Sequence, residues 1–153
     1  MSATTTSQRG VVLDAIASLQ RLTDLFQVRR EQIARGAGLT PQQWKVLEEI
    51  GGEHFMPSMF ARERDSTPAA VSKILRQLID KGIVRVGVSE EDGRQRTYAL
   101  TADGRRVMAR LRAERERAIE AVWNGLPTAE LESFRAFSND LINRLESYAR
   151  AKE

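Results

Sequence analysis

The 153-residue sequence contains no cysteine and only one histidine. The lack of cysteine excludes disulfides, Cys-ligated zinc and a thiol-based redox switch within the chain. No apolar run approaches the roughly 20 residues that a helix needs to span a bilayer. The first ten residues lack the apolar core of a signal peptide and are expected to form a frayed tail. These absences predict a cytoplasmic protein with no membrane segment.

The sequence also lacks the motifs on which common enzyme classes depend. It has no glycine-rich phosphate loop, no Ser-His-Asp arrangement and no metal motif. His54 stands near three glutamates, but a metal site needs three or four converging ligands, and one histidine with carboxylates is thin support for it. We therefore predict neither an enzyme nor a metal or cofactor site.

Charge is abundant but nearly balanced. The chain has 24 Lys and Arg residues against 21 Asp and Glu, which gives a net charge of +3, yet its pI is about 9.7. All but four of the basic residues are Arg, which does not titrate below strongly alkaline pH, so the pI overstates how basic the surface is. Bulk charge therefore does not identify a nucleic-acid-binding protein, and the placement of the basic residues must decide.

What the chain does contain is a clear succession of helix signals. Apolar residues at three- and four-residue spacing predict a long helix over residues 8–35, which Gly36 and Gly38 end. Thr40-Pro41-Gln42-Gln43 has the pattern of a capping box with proline in the first turn. It predicts a second helix that stops at Gly51-Gly52.

The middle of the chain has the order of elements of a winged helix-turn-helix. We predict a very short strand at 53–56, a short helix from Pro57, a turn at 65–67 and a second helix at 68–81. A β-hairpin follows, with strands at 83–88 and 96–100 around a turn at 90–93. Two further helices follow, from Thr101 to Trp123 and from about Thr128 to Tyr148.

The lengths of the terminal helices pose a packing problem. A helix over residues 8–35 is about 40 Å long at 1.5 Å per residue, and one winged helix cannot cover the apolar stripes of this helix and the last two. A second copy of the chain is the natural cover, which predicts a helical homodimer. We predict a mainly α fold with a small β-hairpin wing, in a single domain over residues 1–153. Its dimerisation helices are about 8–38 and 101–150, and its winged DNA-binding region is about 40–100.

The order and text of these motifs resemble the MarR family of bacterial transcriptional regulators. The matching text is Leu39-Thr40-Pro41-Gln42-Gln43-Trp44, Ser66 to Leu78, Lys81-Gly82-Ile83-Val84, Asp92-Gly93-Arg94 and Leu100-Thr101-Ala102-Asp103-Gly104. The resemblance covers almost the whole chain. It implies a dimeric, triangular, mostly helical repressor, an operator with two-fold symmetry and, often, a small phenolic, aromatic or acyl-thioester effector. One departure is Gln95 after Arg94, where the family often has another charged residue.

Candidate DNA-binding residues lie on the helix over 68–81 and on the hairpin. Small and polar residues on that helix would let it enter a major groove deeply, and Arg94 at the hairpin tip suits a narrow minor groove. Asp92 can pin the guanidinium of Arg94 or the turn itself. The predicted set is Ser66, Thr67, Ala69, Ala70, Ser72, Lys73, Arg76, Gln77, Asp92, Arg94, Arg96, Arg62 and Arg64.

Each of these assignments has a plainer alternative. The helix face and the hairpin arginine are also compatible with ordinary solvated charge. Arg96 either faces phosphate or pairs with Glu90 or Glu91, and Arg62 and Arg64 either touch phosphates or lie on the surface.

A second predicted site is an effector pocket, which the resemblance places between the first helices and the winged region. Its predicted residues are Phe26, Arg29, Arg30, Trp44, His54 and Met59, with Arg35 as a further cation. The aromatics would supply apolar contact, and the arginines would neutralise a carboxylate or phosphate. The alternatives are core packing for the aromatics, a structural role for the histidine and solvated charge for each arginine.

The function that fits these patterns is a sequence-specific DNA-binding transcriptional regulator. It would be a homodimeric repressor, released from a two-fold symmetric operator by a small anionic aromatic or acyl-coenzyme A ligand. The rival is a helical adaptor that never binds DNA, for which the Arg/Glu-rich run over residues 105–120 is suited. This rival does not explain a hairpin tipped by Asp92-Gly93-Arg94.

Overall fold

The computed structural model describes residues 2–52, 57, 61 and 66–152, with side chains from residue 7 onward. Two compact units are distinguishable, residues 1–115 and 116–153. The described elements are helices α1 (Ser2–Gly36), α2 (Pro41–Ile50), α3 (Pro68–Asp80), α4 (Ala102–Trp123) and α5 (Thr128–Arg150), with strands β1 (Val84–Val88) and β2 (Arg96–Leu100) between α3 and α4. The predicted mainly α fold with a β-hairpin wing is confirmed.

The helix starts follow the capping residues of the sequence. At α2, the Thr40 side chain accepts a hydrogen bond from the backbone N–H of Gln43, and Gln43 Oε1 accepts one from the backbone N–H of Thr40, so the predicted capping box is confirmed. At α3, the Thr67 hydroxyl accepts from the backbone N–H of Ala70. Beyond the end of α3, Gly82 has a φ of 72°, a left-handed conformation that glycine adopts without strain.

Helix α1 differs from the prediction at its start. It begins at Ser2, six residues before the expected Gln8, so the expectation of a frayed tail is wrong. No proline or glycine occurs between these two residues, so nothing there interrupts the helical hydrogen-bond ladder. The predicted strand at 53–56 and most of the helix from Pro57 lie outside the described residues, although Pro57 and Ala61 are both helical.

The hydrophobic core lies within residues 1–115. It joins the end of α1 to α2, α3, β1 and the first turns of α4. The buried apolar residues are Ile33, Ala34, Leu39, Trp44, Val46, Leu47, Ile50, Ala61, Val71, Leu75, Leu78, Ile83, Val84, Met108 and Leu111. The winged region therefore carries a core of its own.

The hairpin packs closely against the start of α4. Strands β1 and β2 pair antiparallel, from Val84 opposite Leu100 to Val88 opposite Arg96. Next to this pair, the Thr101 hydroxyl donates to the carbonyl of Gly82 at 2.7 Å and accepts from the backbone N–H of Gly104. A Cβ at Gly104 would collide with the carbonyl oxygen of Ile83, so only glycine permits this approach of α4 to the hairpin.

Two helices carry apolar side chains that remain exposed, one in each unit. In α1, the large apolar residues from Val11 to Val28 are 43–66% exposed, and from residue 7 onward only Ile33 and Ala34 of this helix are buried. In α5, none of the 23 residues is buried, and Phe137 is 65% exposed. Within the described part of the chain, no helix combines the length and apolarity that crossing a membrane requires.

Candidate nucleic-acid interface

Helix α3 has one packed face and one exposed face. Val71, Leu75 and Leu78 recur at three- and four-residue spacing and are buried in the core. Between them lie the exposed side chains that the sequence predicts to contact DNA. These are Ala69, Ala70, Ser72, Lys73, Arg76 and Gln77 in the helix and Thr67 at its cap, while Ser66 is half-buried.

The start of α3 is capped by its own residues. The Thr67 hydroxyl is engaged in capping the N–H of Ala70 at 3.1 Å, so it contributes to the shape of the helix start as much as to any contact. Pro68 has no N–H and the N–H of Val71 donates to the carbonyl of Thr67 at 3.1 Å, so it is mainly the helix dipole that favours an anion such as a phosphate at this end.

Two side-chain hydrogen bonds anchor α3 to the segment that precedes it. The Nε2 of buried Gln43 donates to Oε1 of Gln77 at 3.1 Å. One turn further on, just past the last residue of α3, Lys81 Nζ donates to the carbonyl oxygen of Gly38 at 3.0 Å. These bonds fix the helix against α2 and against the turn before it. The sequence prediction missed both, because it assigned Gln43 only to the capping box and Gln77 only to DNA.

The hairpin tip holds Arg94 in place through its backbone. Asp92 Oδ1 accepts from the backbone N–H of Arg94 at 3.1 Å, and the N–H of Gln95 donates to the carbonyl of Asp92 at 2.9 Å. Of the two roles predicted for Asp92, it fulfils that of fixing the turn. The guanidinium of Arg94 has no ion-pair partner among the described residues and is exposed.

The remaining predicted DNA contacts differ in what surrounds them. Arg96 is exposed and forms no ion pair with Glu90 or Glu91, so the alternative of a pair within the hairpin is wrong. Arg62 and Arg64 lie outside the described residues.

The predicted effector residues do not form one pocket. Phe26 and Arg30 line a groove of about 490 Å³ between α1 and the start of α2, and Arg35 and Lys45 add two cations to it. Trp44 instead lines a cavity of about 320 Å³, whose lining also includes Glu48, Gly51, Gly52, Met108, Leu111, Arg112 and Arg115.

Arg30 stands between these two sites. Its guanidinium lies 4.5 Å from the centroid of the Trp44 ring, a cation–π contact. It also pairs with Glu48 at 3.4 Å, and Glu48 pairs with Arg115 at 3.7 Å. The Nε of Arg30 is buried with no partner in the described structure.

The other predicted effector residues do not join these sites. Arg29 pairs with Glu114 at 3.9 Å. His54 and Met59 lie outside the described residues, and the residues that are described hold no group of three or more His, Cys, Asp or Glu side chains fit to bind a metal ion.

Comparisons with known proteins agree on the fold. Residues 37–95 match the model of the MarR family. The structure of a MarR family transcription regulator is similar with a TM-score of 0.84 and 18% identity, over 95% of this chain and 97% of that one. The S. aureus MepR–DNA complex gives 0.68 and 17%, over 83% and 93%. CouR from Rhodococcus jostii RHA1 bound to p-coumaroyl-CoA gives 0.65 and 19%, over 80% and 87%. No curated protein matches this chain significantly.

Proposed function

We propose that the chain is a winged helix-turn-helix regulator of the MarR family, whose model matches residues 37–95, and that it is a homodimeric repressor that a small ligand releases from DNA. The observation that carries the proposal is the exposed face of α3, whose C-terminal end is held by the bonds of Gln77 to Gln43 and of Lys81 to Gly38, beside a hairpin with Arg94 at its tip. A regulator of this kind is a cytoplasmic protein without catalytic activity.

In the proposed complex, α3 enters a major groove and the wing reaches the neighbouring minor groove. Short side chains at Ala69, Ala70 and Ser72 permit close approach, and Lys73 and Arg76 reach further to base edges or phosphates. Arg94 suits the negative potential of a narrow minor groove. The solved MepR–DNA complex, which shares this fold, supports the arrangement.

The homodimer is proposed from the exposed apolar residues of α1 and α5. Each helix leaves a stripe of apolar side chains in contact with water, which a second copy of the chain would bury. Two copies related by a two-fold axis present two α3 helices, and consecutive major grooves on one face of DNA lie about 34–36 Å apart. The expected operator therefore has two-fold symmetry.

The proposed ligand is a small anion with an apolar part, of the aromatic carboxylate or acyl-coenzyme A class. The groove between α1 and α2 supports this proposal, because Arg35 and Lys45 supply positive charge next to the ring of Phe26. The fold of CouR, solved with p-coumaroyl-CoA, lends further support. A ligand that binds best when the two α3 helices are wrongly spaced must weaken DNA binding by linkage.

A gel-shift series tests the proposal. The wild-type protein should shift one sequence selected from random duplexes, and the shift should weaken steeply as salt rises, since phosphate contacts release counterions. Aromatic carboxylates or acyl-coenzyme A thioesters should release the DNA. A protein that shifts no duplex at low salt would instead support the helical adaptor, the second candidate, which the uncovered stripes of α1 and α5 also suit.

A further inference from the structure

A buried glutamine fixes the orientation of a side chain on the exposed face of α3. Gln43 is 5% exposed, and its Oε1 accepts from the backbone N–H of Thr40 at 3.0 Å. Because a backbone N–H only donates, the amide oxygen of Gln43 must face Thr40, and its Nε2 must face elsewhere. That nitrogen lies 3.1 Å from Oε1 of Gln77. The capping box of α2 thus sets the orientation of both amides.

The consequence for Gln77 is a restricted hydrogen-bonding role. Its oxygen is turned toward Gln43, so its Nε2 is left as the outer group of an exposed side chain. No described residue accepts a hydrogen bond from this nitrogen. An unrestrained glutamine can pair with adenine through donor and acceptor together, but the oxygen of Gln77 points toward Gln43, which leaves its donors as the outward groups.

We propose that Gln43 is a positioning residue for DNA readout and that Gln77 contacts DNA as a donor only. The favoured partners are acceptor groups at major-groove base edges, which are N7 and O6 of guanine, O4 of thymine and, more weakly placed beside the N6 donor, N7 of adenine. This inference rests on the proposed function, because it requires α3 to lie in a major groove. Gln43 itself is buried behind α3 and acts through Gln77.

The substitution Gln43→Glu should reverse which end of the Gln77 amide faces outward, while it keeps the helix cap. One carboxylate oxygen still accepts from the N–H of Thr40, as in a capping box with glutamate, and negative charge in the first turn of α2 suits the helix dipole. The other oxygen can only accept, so Gln77 must rotate to donate its Nε2 to it. The oxygen of Gln77 then faces outward and favours donor groups, which are N4 of cytosine and N6 of adenine.

The test is selection from random duplexes, followed by sequencing, with full-length protein. The four proteins compared are wild type, Gln43→Glu, Gln77→Ala and the double variant. At one base position per half-site, Gln43→Glu should shift the preference from acceptor to donor edges by roughly two- to tenfold, the range expected for one net hydrogen bond. Gln77→Ala and the double variant should show the same flat preference there, because Gln43 acts only through Gln77.

A second substitution keeps the inference testable if the glutamate variant does not fold. Gln43→Met preserves most of the side-chain volume but cannot hold the amide of Gln77, so the preference at that position should flatten, with circular dichroism as the check on folding. An unchanged preference in either folded variant would overturn the inference, as would a Gln43→Glu effect that persists without Gln77. A wild-type protein that selects no sequence would overturn the proposed function as well.

Discussion

The winged region and helix α5 differ in how far their apolar side chains are exposed to solvent. Five of the ten residues of α2 are buried, whereas none of the 23 residues of α5 is. Both helices are amphipathic, so the difference lies in what covers the apolar side. The winged region folds around side chains of its own, while the apolar residues of α5 remain exposed. The comparison indicates that the winged region is covered by its own side chains, whereas the apolar side of α5 is left for the homodimer interface proposed above.

The largest expected effect comes from breaking that interface. Phe137→Glu places a charge on the exposed apolar stripe of α5, where Phe137 is 65% exposed. Burial of an unpaired carboxylate between two copies is costly, so the homodimer should dissociate. Loss of the second DNA-binding helix should lower affinity for a two-half-site duplex by about 10²–10⁴-fold. Sedimentation velocity and DNA titration measure the two effects.

A matched control introduces the same charge elsewhere on α5. Asn139 is exposed and lies on the side of the helix away from Phe134 and Phe137, so Asn139→Glu should leave the homodimer and its DNA affinity nearly unchanged. A Phe137→Glu protein that remains dimeric at micromolar concentration would show that α5 does not form the interface.

The same substitution, leucine to alanine, tests the contrast between α2 and α5 when it is made once in each helix. Leu47 is fully buried in α2, and Leu47→Ala should lower the free energy of unfolding by about 2–5 kcal/mol through lost burial and a cavity. Leu145 of α5 is 57% exposed, so Leu145→Ala should act on the dimer: it should lower the unfolding midpoint at a concentration where wild type is dimeric and leave it nearly unchanged where wild type is monomeric. Urea unfolding at two protein concentrations distinguishes the effects. Equal losses of unfolding free energy from both substitutions, at every protein concentration, would contradict the contrast between the buried core at α2 and the exposed apolar side of α5.

Much of the winged region is predictable because its signals are local. Threonine followed by proline marks the starts of α2 and α3, and Gly82 marks the turn before the hairpin, since each acts within a few residues of chain. The start of α1 was misjudged, because a segment without an apolar core was taken as a frayed tail, although no residue between Ser2 and Gln8 breaks a helix.

The candidate sites were less predictable because their decisive contacts join distant residues. Gln43 meets Gln77 across 34 positions, and Arg30 meets Glu48 across 18. Periodicity assigns each side chain to a face of its own helix but does not indicate which side chain of another helix it touches. The predicted effector arginines were therefore taken as available, although Arg30 is already paired with Glu48 and stacked on Trp44.

A smaller effect is expected at the wing. Arg94→Ala should weaken binding to all duplexes by roughly tenfold and reduce the slope of log affinity against log salt by about one, because a single phosphate-directed or groove-directed cation is lost. Preference among sequences should change little, since the minor groove reads shape more than base identity. Arg94→Lys should keep the salt slope and recover part of the affinity. If Arg94→Ala binds DNA as tightly as wild type at moderate salt, the wing does not contribute to the DNA interface.

The smallest effect on stability is expected at Glu48, where the winged region meets the end of α1. Its carboxylate pairs with Arg30 at 3.4 Å and Arg115 at 3.7 Å, but the three side chains are 34–49% exposed, so water screens both pairs. Glu48→Gln should therefore change the free energy of unfolding by less than about 1 kcal/mol.

The same change releases two guanidiniums from their carboxylate and should raise affinity for an anionic aromatic ligand, measured by calorimetry. Glu49→Gln, on the same helix, provides the control and should leave that affinity as it is. Equal ligand affinity in Glu48→Gln and wild type would place the ligand away from Arg30 and Arg115.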